Sequence, residues 1–188
     1  MKILIFNWRD LKNPEGGGAE VFTHENAKRW VQQGHDVTLF ASLFEGGKKS
    51  EIIDGVNIVR DGSKLTVYNK AKQHYKQVFS REHFDVVIDE INTRPFFTPR
   101  FVKNGETIVA LIHQLAQEFW YYETPFPVAF IGSHFLEKYW LRTYREIPTI
   151  TVSNSTKEDL EQLGFGDISV VSEGISFTPL SQLSLIHI

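Results

Sequence analysis

Short apolar runs alternate with longer stretches of helical periodicity along most of the chain. Seven runs read as strands: Lys2–Trp8, Asp36–Ser42, Val56–Arg60, Asp85–Glu90, Thr107–His113, Pro148–Ser153 and Ile168–Ser172. Helices are predicted over Ala19–Gln33, Tyr68–Arg81, Pro127–Tyr144 and Ser155–Leu163. In the first helix Ala19, Val21, Phe22, Ala27, Trp30 and Val31 recur at a spacing that builds one apolar stripe. Gly34 and Gly164 stand where the first and last helices should stop, and Ser155-Thr156-Lys157-Glu158 fits a capping box. Strand and helix in alternation predict a parallel sheet covered on both faces, an α/β doubly wound fold.

Between the first strand and the first helix lies Asn7-Trp8-Arg9-Asp10-Leu11-Lys12-Asn13-Pro14-Glu15-Gly16-Gly17-Gly18-Ala19-Glu20. Three glycines ahead of a helix let backbone amides and the positive end of the helix dipole approach an anion. A plain flexible turn is the alternative reading. Neither of the common nucleotide fingerprints fits. Seven residues separate Trp8 from Gly16, and the second strand ends in Phe40-Ala41-Ser42 without the acid that would hold a ribose. Gly46-Gly47-Lys48-Lys49-Ser50 lacks the spacing of a Walker loop.

Composition narrows the class. The 188 residues are 41% hydrophobic, enough for one sizeable core, and the formal net charge is −3. No run of five like charges suggests a nucleic-acid partner. The chain has no cysteine, which excludes a disulfide scaffold and thiolate chemistry and fits a reducing, cytoplasmic setting. Its seven histidines show no metal-ligand spacing, so no metal site is expected. No apolar stretch approaches the length of a membrane span.

The order of these features resembles the N-terminal half of the family 4 (group 1) glycosyltransferases. The likeness is carried by the Gly-Gly-Gly-Ala-Glu loop, by Gly34-His35-Asp36-Val37-Thr38-Leu39, and by Ile108-Val109-Ala110-Leu111-Ile112-His113. Thr151 to Leu160 and the run ending Glu173-Gly174-Ile175-Ser176 complete it, although the family usually has Asn-Gly-Ile/Val-Asp at that last place. The resemblance implies residues 1–176 as a Rossmann-like domain, one half of a GT-B enzyme, with 177–188 as linker or non-native tail. It further implies transfer of a sugar from a nucleotide-diphosphate donor to a saccharide or lipid-linked acceptor, with retention and no cofactor. Residues that hold the nucleotide would lie in a second half outside this sequence, leaving these 188 residues inactive alone. A GT-B nucleotide-sugar epimerase, and a stand-alone sugar- or nucleotide-binding module, are the alternatives.

On this reading Gly16, Gly17 and Gly18 face the donor phosphates, and His113 contacts the transferred sugar. Asp89-Glu90-Ile91-Asn92 ends a strand, so its polar groups belong at the ligand crevice. Asp89 and Asn92 are expected to bind acceptor hydroxyls and Glu90 to assist deprotonation of the nucleophile, with solvated loop charge as the alternative reading. Glu118, five residues after His113, is a further acceptor contact. His24 and His134 lie in helical segments and read as structural. Phe126 to Tyr144 mixes aromatics with Lys138 and Arg142, a pattern that could touch a membrane weakly but more often packs on a sheet.

Overall fold

A computed structural model describes residues 1–103, 105–115 and 136–174. Eight strands form one sheet: β1 Lys2–Phe6, β2 Asp36–Ala41, β3 Ser50–Ile53, β4 Val56–Arg60, β5 Val86–Glu90, β6 Thr107–Ile112, β7 Thr149–Thr151 and β8 Ile168–Val170. Their order is β3-β4-β2-β1-β5-β6-β7-β8, and every neighbouring pair is parallel except β3 with β4. The described helices are α1 Gly18–Gln32, α2 Val67–Gln77, α3 Glu137–Leu141 and α4 Asn154–Gln162. Short 3₁₀ turns at Phe79–Arg81 and Arg142–Tyr144 extend α2 and α3. This is the doubly wound, Rossmann-like α/β fold expected from the sequence.

Strand alternation sorts the core into layers. Ile3 and Ile5 of β1, with Val37 and Leu39 of β2, pack under Ala27, Phe22 and Trp30 of α1. The intervening residues Leu4, Phe6 and Phe40 face the other way, against Val67, Ala71 and Tyr75 of α2. Beyond β5, Ala110 and Ile112 pack with Leu141, Tyr144 and Leu160. The helix stops follow the glycines: Gly34 (φ 86°) and Gly164 (φ 88°) both sit just past a helix end in the left-handed region. The cap of α4 differs from expectation. Ser153, not Ser155, accepts from the Thr156 N–H at 3.2 Å, so the helix opens one residue earlier than predicted. Of the predicted helix 127–144, positions up to 135 lie outside the described residues.

β3 is an element the strand pattern missed. It pairs with β4 through the turn Asp54-Gly55, both in the left-handed region at φ 50° and 85°. Consecutive positive φ angles define the tight hairpin turn that Asp-Gly favours. A Cβ at Gly55 would stand 2.6 Å from a Val31 methyl, so the turn is also pressed against α1. His24, buried on α1, meets the Asp54 carboxylate at 2.9 Å and fixes the same contact.

The side chain of Arg60 is wholly enclosed at the end of β4. Its Nε and Nη2 donate to the two oxygens of Asp10 at 2.6 and 2.7 Å, a bidentate fork. Nη1 donates to Glu51 of β3 and to the Lys48 carbonyl. One guanidinium therefore joins the edge hairpin to the loop that follows β1. Removing Asp10 strips the enclosed guanidinium of its bidentate partner and leaves two N–H groups unsatisfied, with Glu51 the remaining carboxylate, which costs about 3 kcal/mol. Asp10→Ala should lower unfolding free energy by about that much in denaturant titration. Asp10→Leu combined with Arg60→Met should recover most of the loss. Equal instability in the single and double variants would show that the charge pair is not what holds the loop.

Candidate functional site

Chain order reverses direction in the sheet between β1 and β5, and ligands of such folds bind outside the carboxyl ends of strands at that point. A cavity of about 670 Å³ opens there. Trp8 and Arg9 after β1, Gly17 to Glu20 at the start of α1, Asn92 to Arg94 after β5, and His113 after β6 form its walls. Lys64, Leu65, Tyr68 and Glu173 close the rim.

The loop between β1 and α1 is folded by its own polar groups. Asp10 Oδ1 accepts from the Lys12 N–H, and Asn13 Oδ1 from the Glu15 N–H. The Gly16 N–H donates to the Asn13 carbonyl at 2.8 Å. Glu20, buried at the third position of α1, turns back to accept the Gly17 N–H at 2.6 Å and the Arg9 Nε–H at 3.1 Å. The amides of Gly16 and Gly17 are thus engaged within the loop, so neither offers a free N–H, although Gly17 itself lines the cavity. The donors left over are the first N–H groups of α1, from Gly18 onward, which lack intrahelical partners. Gly18, Ala19 and Glu20 line the cavity.

The three glycines also differ in what they tolerate. A Cβ on Gly16 would lie 2.9 Å from the Asn13 carbonyl oxygen, so that glycine is required by packing. Gly17 is extended (φ −141°), and a Cβ there would meet only a Glu20 oxygen at 3.7 Å. Gly18 has open space around it.

Period-two alternation sends Asp89 and Glu90 to opposite faces of the sheet. Asp89 is fully buried on the side away from α1. Its oxygens accept from the Phe96 and Thr98 amides at 3.1 Å, the Thr98 hydroxyl at 2.8 Å and the Tyr144 hydroxyl. It anchors the loop after β5 and does not line the cavity, so it is a structural carboxylate and not the acceptor contact expected. Asn92 does line the cavity, and its Nδ2 donates to buried Asn7 Oδ1 at 3.2 Å. Glu118 lies outside the described residues.

Glu90 and His113 come together on the α1 face. Glu90 is wholly enclosed and accepts from the Thr23 hydroxyl of α1 at 2.7 Å. Its other oxygen stands 3.5 Å from His113 Nε2, an ion-pair distance with hydrogen-bond geometry unfulfilled on both atoms. His113 Nδ1 meets Glu173 at 3.1 Å, and Phe22 packs edge-on to the imidazole with centroids 5.2 Å apart. Thr156 at the start of α4 donates to the His113 carbonyl at 3.2 Å, holding the backbone in place. Burial disfavours the imidazolium, yet the close Glu90 carboxylate and the hydrogen bond and charge of Glu173 outweigh it and hold His113 above its ordinary pKa. Burial also raises the Glu90 carboxyl, against the partners that lower it, so a proton is favoured on the pair. Glu90 is not among the residues that line the cavity, and the lining residue it approaches is His113. A second cavity of about 400 Å³ lies beside His113 at the start of α4, walled in part by Ser153, Ser155 and Asp159.

Sequence reading missed several wall residues. Glu20 carried a signal, since an acid at the third helical position commonly folds back on the cap. Arg9, Tyr68 and Arg94 carried none, because only the tertiary fold brings the three segments to one cavity.

Comparison with known proteins agrees with this architecture. Sucrose-phosphate synthase from Thermosynechococcus elongatus superposes with a TM-score of 0.67 at 11% identity, over 93% of this chain and 48% of that one. The present chain thus spans about half the length of that enzyme, and the likeness is one of fold, that of a GT-B half. A search of curated protein sequences finds no match. The sequence profile of Glycosyltransferase Family 4 matches residues 16–178, from the glycine loop through the end of the sheet, and the chain belongs to that family.

Proposed function

We propose that this chain is the acceptor-side half of a retaining glycosyltransferase that takes a nucleotide-diphosphate sugar. The observation that carries the reading is convergence: the start of α1 and His113 wall one cavity at the switch point of the sheet. Unpaired amides at Gly18 and Ala19 suit the oxygens of a departing diphosphate, whose negative charge grows as the glycosidic bond breaks. His113 walls the cavity with its proton retained by Glu90 and Glu173, and on this reading its Nδ1–H, which meets Glu173 at the rim, would pass to the sugar being transferred. Glu90 orients that imidazole from behind, as Thr23 in turn orients Glu90. The saccharide or lipid-linked acceptor would enter past Trp8, Tyr68 and Asn92. Transfer requires donor and acceptor to be held in one closed cleft. The 188-residue chain alone is therefore expected to turn over no donor, and the same chain joined to a donor-binding half is expected to do so.

Two glycine substitutions separate loop folding from cavity function. In the two-half enzyme, Gly17→Val should leave the melting temperature within a few degrees, since extended backbone accepts a side chain there. It should lower turnover at least about tenfold, or about 1.4 kcal/mol of barrier, by crowding the diphosphate. Gly16→Ala should instead destabilise, because its Cβ meets a carbonyl oxygen at 2.9 Å. A Gly17→Val enzyme with wild-type rate would make the loop a turn and nothing more.

The pH dependence tests His113. Activity should fall as pH rises through its raised pKa, above the ordinary imidazole value of about 6.5. Glu90→Gln removes one of the charges that hold the proton, so this alkaline limb should move to lower pH while the fold persists. His113→Ala should abolish the limb and cut kcat/KM at least about tenfold. A limb left in place by His113→Ala would assign the titration to another group.

A further inference from the structure

We propose that Glu173 is a latch on His113: in the empty site its carboxylate occupies the Nδ1–H edge of the imidazole, and a substrate must displace it to reach that edge. The inference rests on the role given to His113 above and adds the step that must precede it. The two ring nitrogens differ in access. Nε2 stands 3.5 Å from Glu90, which is wholly enclosed on β5 and so cannot give way to a ligand. Nδ1 meets Glu173 at 3.1 Å, and the Glu173 side chain is 49% exposed. Only the Nδ1 edge is open to exchange.

Three residues wall both cavities: His113, Gln114 and Glu173. His113 and Gln114 follow directly on β6, and the Thr156 hydroxyl holds the His113 carbonyl at 3.2 Å. Glu173 lies beyond β8, two residues past Val171, whose N–H donates to the Thr151 carbonyl. The fixed side of the partition is therefore β6, and the side that can withdraw is Glu173. An ion pair with one partner half in water contributes little, because solvent screens it and ordering a long side chain offsets the attraction. A sugar hydroxyl can replace it, yet the closed state still lowers apparent affinity by its share of the population. The second cavity, about 400 Å³, gives the displaced side chain room, and withdrawal joins the two cavities across His113. Asp159 on that second wall sets a like charge against the displaced carboxylate, which favours its return once the ligand leaves. The contact also matches what distinguishes this chain. Where the family usually carries asparagine, glutamate adds a methylene and a charge, the reach and the attraction that the latch needs.

The test is an NMR titration of the 188-residue chain and of Glu173→Ala, with labelled histidine rings, against UDP-glucose, ADP-glucose and GDP-mannose. Both proteins should melt at the same temperature, since Glu173 is half exposed. Without ligand, the His113 Nδ1–H should exchange slowly with water in the wild-type chain and too fast to observe in Glu173→Ala. At least one probe should bind and shift the wild-type Nδ1 resonance as carboxylate gives way to hydroxyl. The same probe should bind Glu173→Ala about fivefold more tightly, the most that a half-exposed ion pair can withhold. Equal affinity in the two proteins would overturn the latch and leave the role of His113 standing. Weaker binding by Glu173→Ala would overturn it by making Glu173 a ligand contact. Shifts at Gly18 and its neighbours with the Nδ1 resonance unmoved would show that ligand leaves Glu173 in place, which also overturns the inference. Failure of every probe to bind either protein would overturn this inference together with the role of His113 on which it rests.

Discussion

The buried fork between Arg60 and Asp10 is the contact on which the geometry of the cavity depends. Arg60 ends a strand near one margin of the sheet, whereas Asp10 opens the loop that leaves the central strand β1. Fixing Asp10 fixes the turns that follow it, because its own side chain and carbonyl accept from Lys12 and Asn13. Those turns deliver Gly16 and Gly17 to the start of α1, where Glu20 closes the structure from the helix side. A loop with three consecutive glycines would otherwise sample a broad set of conformations. Here its two ends are tied by carboxylates, and the first free amides of α1 are presented in a fixed place.

Alternation along β5 does comparable work deeper in the fold. Two adjacent acids, Asp89 and Glu90, are driven to opposite faces by the pleat and meet opposite fates. Asp89 finds four donors and fastens the loop that carries Phe96 and, two residues earlier, Arg94. Glu90 finds one hydroxyl and a histidine at 3.5 Å, and one of its oxygens lacks a hydrogen bond. A buried polar atom without a partner is costly, so it survives where the group has a second use. In the function proposed above, that use is to hold the proton on His113.

Much of the fold was legible in the sequence because it rests on local rules. Strand and helix periodicity located β1, β2 and β4 to β8 within two residues, and glycine marked the ends of α1 and α4. β3 escaped because Ser50–Ile53 is short and lies at the sheet edge, with Ile52 exposed, and so lacks a clean alternation. The Asp54-Gly55 dipeptide was the available signal for it. The candidate site was legible only in part. His113 and the glycine loop could be placed from their positions after strands. Asp89 could not be told from Glu90, because which of two neighbours faces the crevice depends on register. Arg94 and Tyr68 are 26 positions apart in the chain and meet only through packing.

The position of β1 bears on how the chain reaches its native state. The first strand lies in the middle of the sheet, with β2 on one side and β5 on the other, where Ile3 is opposite Val37 and Val86. Its second neighbour is therefore some eighty residues downstream, and parallel pairing over such a separation is slow. During synthesis β1, β2 and the β3–β4 hairpin can assemble first, but one flank of β1 stays unsatisfied until β5 has emerged. That flank, carrying Ile3, Leu4 and Ile5, is an apolar strand edge of the kind that recruits other chains. The lifetime of that open edge, more than the stability of the finished sheet, should set how much newly made protein escapes aggregation.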